Sequence, residues 1–275
     1  MLSVNIGPLS LPLAQLLLIT AFVIALIVGA ITGRKEGVPI AGTLSDIFLV
    51  ALVSARIGFV IQYFEYYQEN LWGIIDIRDG GFSVIAGLLG AVFLIGWKLW
   101  RHPKIRRSLS IASASGLLVW GSLSLLIYLM ESSSRGVPDA TFTLLDGTPV
   151  ALAEVAGGKP MVVNLWATWC PPCIREMPVL EQAQQENPGI TFVFVNQGEQ
   201  PETISRFMSQ HGLSLKNVLT DTSASLGRTT GSQALPTTLF YDANGQQVNA
   251  HLGELSRASL AHNLRSFDTD GTGDL

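Results

Sequence analysis

The sequence predicts an α-helical membrane domain of about four transmembrane helices, residues 1–130, followed by an α/β domain, residues 138–267. Three observations carry this. Apolar residues make up 48% of the 275, and charged residues only 14%, against roughly 25% charged in an ordinary soluble domain. The imbalance lies in the first half, where long apolar runs alternate with short charged turns. From Pro138 onward, short apolar strands alternate with helical stretches, the pattern of an α/β domain. A polar stretch from Glu131 to Val137 joins the halves, and a disordered tail is expected over 268–275.

The apolar runs extend from Leu9 to Ile31, Thr43 to Phe64, Phe82 to Trp100 and Leu109 to Met130. Each is near the ~20 residues that cross a ~30 Å hydrocarbon core. A cleavable signal peptide fits the first run poorly, because no basic residue precedes it and the run is too long. Arg34 and Lys35 follow the first run, and Arg101, Lys104, Arg106 and Arg107 follow the third. The turn between the second and third holds Glu65, Glu69, Asp76 and Asp79 against Arg78. Positive charge marks cytoplasmic loops. The N-terminus and everything after Met130 are therefore expected on the periplasmic side of a bacterial inner membrane. Topology accounts for the basic cluster, and a net charge of −4 gives no reason to expect nucleic acid as a partner.

Arg56 lies inside the second run. An intramembrane Arg reads either as a functional group or as a side chain that snorkels outward or pairs with an acid such as Glu65. Gly80, Gly81, Gly87 and Gly90 suit close helix packing. Ala55 to Val60, followed by the run Asp79 to Gly90, resembles the first part of prolipoprotein diacylglyceryl transferase, a family that moves a diacylglyceryl group from phospholipid to a lipoprotein cysteine. The departures matter more. Ile85 stands where that family's motif has His, and Ala86 where it has Gly. Residues 1–130 are therefore read as an anchor that contacts membrane lipid or a partner, without transferase chemistry.

In the second half, Thr141 to Val150 reads as a hairpin turning at Asp146 and Gly147. Met161 to Trp166 is apolar nearly throughout, as central strands are. Pro172 to about Glu186 is helical, Ile190 to Val195 a strand, Glu202 to His211 a helix and Leu215 to Leu219 a short strand. Thr237 to Asp242 and Gln247 to Leu252 flank a turn at Ala243, Asn244 and Gly245. Ser256 caps a last helix running to Phe267. This order is a thioredoxin fold with an N-terminal addition. The linker reaches at most ~25 Å when extended, so the domain is expected to work close to the bilayer.

The chain has two cysteines, in the run Trp169-Cys170-Pro171-Pro172-Cys173. None remains for a structural disulfide or a four-ligand zinc site, so no metal is expected. The pair sits where a strand ends and a helix begins. There the helix dipole and unpaired N–H groups lower a thiol pKa from ~8.5 into the ~3.5–7.5 range. Cys170 is expected to be the exposed nucleophile, and Cys173, one turn in, the buried resolver. Pro171 and Pro172 supply no N–H and moderate the thiolate. Glu176, a turn beyond Cys173, reads either as a group that handles protons near the thiols or as a solvated helix carboxylate. In the thioredoxin fold a cis proline lies beside the disulfide, which assigns that role to Pro236. Pro178 is expected to kink the helix.

Gly158 to Pro178, with the lead-in from Pro138 to Gly147, resembles the TlpA/ResA-like periplasmic thioredoxins. The resemblance implies reduction of disulfides in apocytochromes c or other exported proteins. Glu176 matches the acid near that family's active site. Asn164 stands where cytoplasmic thioredoxins have a buried Asp, which makes Glu176 the proton partner. No cofactor is expected beyond a redox-active Cys170–Cys173 disulfide. The membrane half has no cysteine, so a separate transmembrane thiol–disulfide interchange protein is expected to supply electrons. Thiol oxidation or disulfide isomerisation by the same pair is the alternative. A lipid-modifying transferase with a redox appendage stands further off.

Overall fold

The computed structural model describes residues 3–6, 9–68, 70–131, 136–232 and 234–269. Glu69 of the acidic turn, most of the linker and the tail beyond Thr269 lie outside them. The chain divides into two compact units: one of helices, and one built on a sheet that also takes in the N-terminal strands and residues 76–80.

The four expected spans are present as α1 (Leu13–Glu36), α2 (Ala41–Gln62), α3 (Val84–Arg101) and α4 (Arg106–Glu131). All four are long and apolar enough to cross a membrane. The first begins later than expected. Leu9–Pro12 forms β2, paired antiparallel with β1 (Ser3–Ile6). Pro12 holds the residue before it extended, and the helix starts after it. Small residues let the helices approach. A Cβ on Gly87 would stand 3.1 Å from the Ala51 carbonyl oxygen and the Ala55 Cβ, and one on Gly90 would meet Ser54 Oγ. These contacts join α2 to α3, as expected of glycines at that spacing.

Arg56 is held inside the helical unit. Only 8% of it is exposed, so it does not snorkel. Its Nε donates to the Ile74 carbonyl at 2.9 Å, Nη1 to Gly81 at 2.8 Å and Nη2 to Gly73 at 2.8 Å. The rings of Phe59, Tyr67 and Phe82 lie 5.7–6.0 Å away. A planar fork of donors thus collects carbonyls at the end of the short 3₁₀ turn Leu71–Ile74 and just before α3.

The second unit is a seven-stranded sheet in the order β4-β3-β7-β6-β5-β8-β9. Its strands are β3 (Thr141–Leu144), β4 (Pro149–Ala151), β5 (Met161–Trp166), β6 (Thr191–Gln197), β7 (Val218–Asp221), β8 (Thr237–Tyr241) and β9 (Gln247–Leu252). The central β5, β6 and β7 are parallel, and every other pair is antiparallel. Alternate residues of β5 serve opposite faces. Val162 and Trp166 join a core with residues of α6 (Pro171–Glu186), α7 (Pro201–His211) and α9 (Arg257–Leu264). Met161, Val163 and Leu165 join one with α5 (Leu152–Ala156) and α8 (Ser225–Thr230).

Several expected boundaries move. β7 starts at Val218 rather than Leu215, because Asn217 takes a φ of 54° that ends the incoming loop. α5 and α8 were not expected from the sequence. α9 stops at Leu264, and a separate short helix, α10 (Ser266–Thr269), takes in the first residues assigned to the tail. Glu131 closes α4, Gly136 bridges Gln246, and the Val137 N–H donates to the Gly245 carbonyl.

Candidate active site

β5 and β6 run side by side to a common end, where Trp166 is opposite Asn196. Crevices at the carboxyl ends of parallel strands are where α/β folds build their sites. Cys170 follows β5 by four residues and caps α6. Its Sγ accepts the Cys173 N–H at 3.3 Å, with Pro171 and Pro172 opening the helix. Cys170 and Cys173 are disulfide-bonded, with Cα atoms 5.3 Å apart. Trp169, 67% exposed, and Pro171 are the open members of the motif.

Cys170 is less open than the sequence suggested. It is 3% exposed in this disulfide form, and Cys173 is fully buried. Capping turns the Cys170 sulfur back onto the helix end. Both cysteines pack in one cluster with Trp166, Ala167 and Met177, against which Leu235 is packed.

Glu176 is fully buried on the same helix, one turn beyond Cys173, and residues so spaced are neighbours. Its Oε1 accepts from Asn164 Nδ2 at 2.8 Å, and its Oε2 from the Leu255 N–H at 2.9 Å. Burial pushes its pKa up to about 8; both hydrogen bonds oppose the rise, and nearby Glu254 adds to it. Asn164, on β5, also donates to Thr238 Oγ1 at 3.0 Å. This buried group ties β5, β8 and α6 together under the cysteines' helix.

Leu235–Pro236 is a cis peptide bond. It leads into β8, whose Thr237 is paired with Leu165 near the end of β5, so Pro236 lies at the same end of the sheet as the cysteines. α6 continues past Pro178 to Glu186. Arg56 belongs to the helical unit.

Sequence reasoning missed two groups. Arg175 makes an ion pair with Glu254, through Nε at 2.9 Å and Nη2 at 2.5 Å, and so ties α6 to the segment that carries Leu255. Glu199 is the other. Its carboxylate accepts the Thr168 N–H at 2.7 Å, the Thr168 hydroxyl at 2.5 Å and Asn196 Nδ2 at 2.7 Å. Arg175–Glu254 and Thr168–Glu199 join positions 79 and 31 residues apart, with no period or motif to reveal them.

Comparison with known proteins agrees with this geometry. Residues 132–264 match the Redoxin family model, and residues 2–121 match that of prolipoprotein diacylglyceryl transferase. The thiol-disulfide oxidoreductase ResA of Halalkalibacterium halodurans is 34% identical over 114 residues, 41% of this chain and 64% of that one. ResA of Geobacillus thermodenitrificans is 30% identical over 132 residues, 47% of this chain and 75% of the relative. For ResA of Bacillus subtilis the values are 30% over 145 residues, 51% and 79%. A solved thioredoxin-family thiol:disulfide interchange protein from Chlorobium tepidum is 29% identical, with a TM-score of 0.42, covering 49% of this chain and 94% of that one. With a thioredoxin-like sheet, a Cys-Pro-Pro-Cys helix cap and relatives of this kind, the chain belongs to the ResA-like thiol–disulfide oxidoreductases, here joined to four candidate membrane helices.

Proposed function

We propose that the chain is a membrane-anchored reductase of disulfides in exported proteins, apocytochrome c among them, working through Cys170 and Cys173 on the periplasmic face of a bacterial inner membrane. The observation that carries the direction is the poverty of donors at the helix end. An N-cap side chain accepts from the second or third helical N–H. Pro172 removes the second, leaving only the Cys173 N–H on Cys170 Sγ. A strong oxidant is one whose reduced form is stabilised. A thiolate with one backbone donor is stabilised less, which favours giving electrons away.

The Cys170 thiolate attacks a substrate disulfide, forming a mixed disulfide and releasing one substrate thiolate. The Cys173 thiolate then attacks Cys170 Sγ, closing the Cys170–Cys173 disulfide and releasing the second. Two electrons pass to the substrate. Glu176, one turn from Cys173, takes the resolving thiol's proton in its ionised form, the minor one at pH 7, and then passes it on. A dithiol on a transmembrane interchange protein reopens the disulfide, since the helical unit holds no cysteine. That unit anchors the domain and touches lipid, without transferase chemistry: Ile85, at the position of the family's His, is an exposed apolar side chain.

Two measurements test this. The reduction potential against dithiothreitol should fall nearer the roughly −270 mV of thioredoxin than the roughly −120 mV of a strong oxidant; a value at the oxidising end overturns the direction. The Cys173→Ala variant should accumulate exported proteins as mixed disulfides on Cys170, and recovering none would count against the reductase.

A further inference from the structure

We propose that Glu199 positions the turn from Thr168 to Cys170 for attack on protein disulfides, a role that rests on reading Cys170 as the nucleophile. The placement follows from the sheet. β5 ends with Trp166 opposite Asn196 and β6 one residue later, at Gln197, so the turns after them lie next to each other. Thr168 is two residues past the end of β5, and Glu199 two past the end of β6.

The turn that carries Glu199 is itself held. Gly198, at a φ of 88°, donates its N–H to the Asp221 carbonyl at 2.9 Å, and Gln197 Nε2 donates to Asp221 Oδ2 at 3.3 Å. On the next residue, Gln200, the carbonyl accepts the Thr203 N–H at 3.0 Å as α7 begins. Glu199 thus projects from a fixed base. Its carboxylate takes three donors, two of them from Thr168, the backbone N–H included. Hydrogen bonds to an ionised acceptor are about twice as strong as neutral ones. Asn196, the third donor, is fully buried and steadies the carboxylate from the strand side.

What this holds is the piece of chain a substrate must meet. Cys170 N–H donates to the Ala167 carbonyl at 3.3 Å, so residues 167–170 form one turn, with Thr168 and Trp169 at its crown. Trp169 is exposed and Cys170 nearly closed off. A large protein disulfide has to fit around that crown to reach the sulfur. A small disulfide does not depend on the crown's shape to the same degree. Glu199 is therefore a positioning residue for bulky substrates and touches neither sulfur.

The test uses the reduced full-length protein in detergent, with oxidised glutathione as the small probe and insulin as the protein probe. Glu199→Ala should lower the second-order rate constant with insulin by about tenfold, the scale set by losing hydrogen bonds to a charged group, while the glutathione rate stays within about twofold. Glu199→Gln should fall between Glu199→Ala and wild type, nearer wild type, because it keeps the partners but not the charge. Its amide oxygen can accept from the Thr168 N–H and Asn196, and its NH₂ can donate to a rotated Thr168 hydroxyl. Equal insulin rates for Glu199→Ala and wild type overturn the proposal. So does a parallel loss with both probes, which would make Glu199 a general support of the fold, and so does a Glu199→Gln variant as slow as Glu199→Ala. A wild-type protein inert to both probes overturns the reading of the cysteine pair, and this role falls with it.

Discussion

A carboxylic acid buried under a thiol pair is the residue whose charge matters most here. Glu176 has its pKa pushed up to about 8 by burial, so it is mostly neutral at pH 7. Its proton is retained in the folded protein and lost in the unfolded chain between pH ~4.5 and 8. Across that window folding stability falls as pH rises, by up to about 1.4 kcal/mol per unit; below it no penalty remains. An infrared band from a protonated, non-aqueous carboxyl should persist at pH 7 in the full-length protein, fade as pH passes 8 and be missing from Glu176→Gln. A band already gone at pH 6 would show that the carboxyl is ionised. The acid's place was legible, since it follows from spacing along one helix after a recognisable motif. Its partners were not legible. Leu255 reaches it by a backbone N–H, which no side-chain identity announces, and the Arg175–Glu254 pair beside it joins positions 79 residues apart.

At the scale of elements, α6 is where the reactivity is set, because its first turn is short of donors. Pro172→Ala restores the second helical N–H while keeping the helix. The added donor should stabilise the reduced thiolate, lower its pKa and raise the reduction potential by roughly 30 mV, a tenfold change in the equilibrium constant. Redox equilibration with dithiothreitol reads this directly, and an unchanged or lower potential would remove backbone donors from the account of direction. The elements that sequence found are those with a strong local code. β5 is a continuous apolar run, the β8–β9 turn carries Asn244 and Gly245, and the span of α1 is apolar for more than twenty residues. Those it missed lack one. α5 has five residues, too few for a period. α8 is entered through Ala224, held at a φ of 49°, a left-handed conformation that Ala does not advertise. The late start of β7 turns on Asn217 in the same way.

At the scale of the molecule, the four spans and the soluble domain were legible because composition changes abruptly between them, and Ile85 and Ala86 marked the departure from the transferase motif. What composition did not show is that the sheet unit has two unlike ends. The chain enters at Gly136 and Val137, against Gly245 and Gln246 in the β8–β9 turn. β8 runs antiparallel to β5, with Tyr241 opposite Met161, so this turn lies beside the start of β5, and the cysteines follow its end. A short epitope inserted between the exposed Ala243 and Asn244 should therefore leave the rate with oxidised glutathione within about twofold of wild type, since turn tips tolerate insertion. A collapse of that rate would show that the two ends are coupled.

That separation fixes a distance within the sheet unit. The six residues of β5 span about 20 Å, so a probe bound at the β8–β9 turn leaves the sulfurs free for a substrate at the other end.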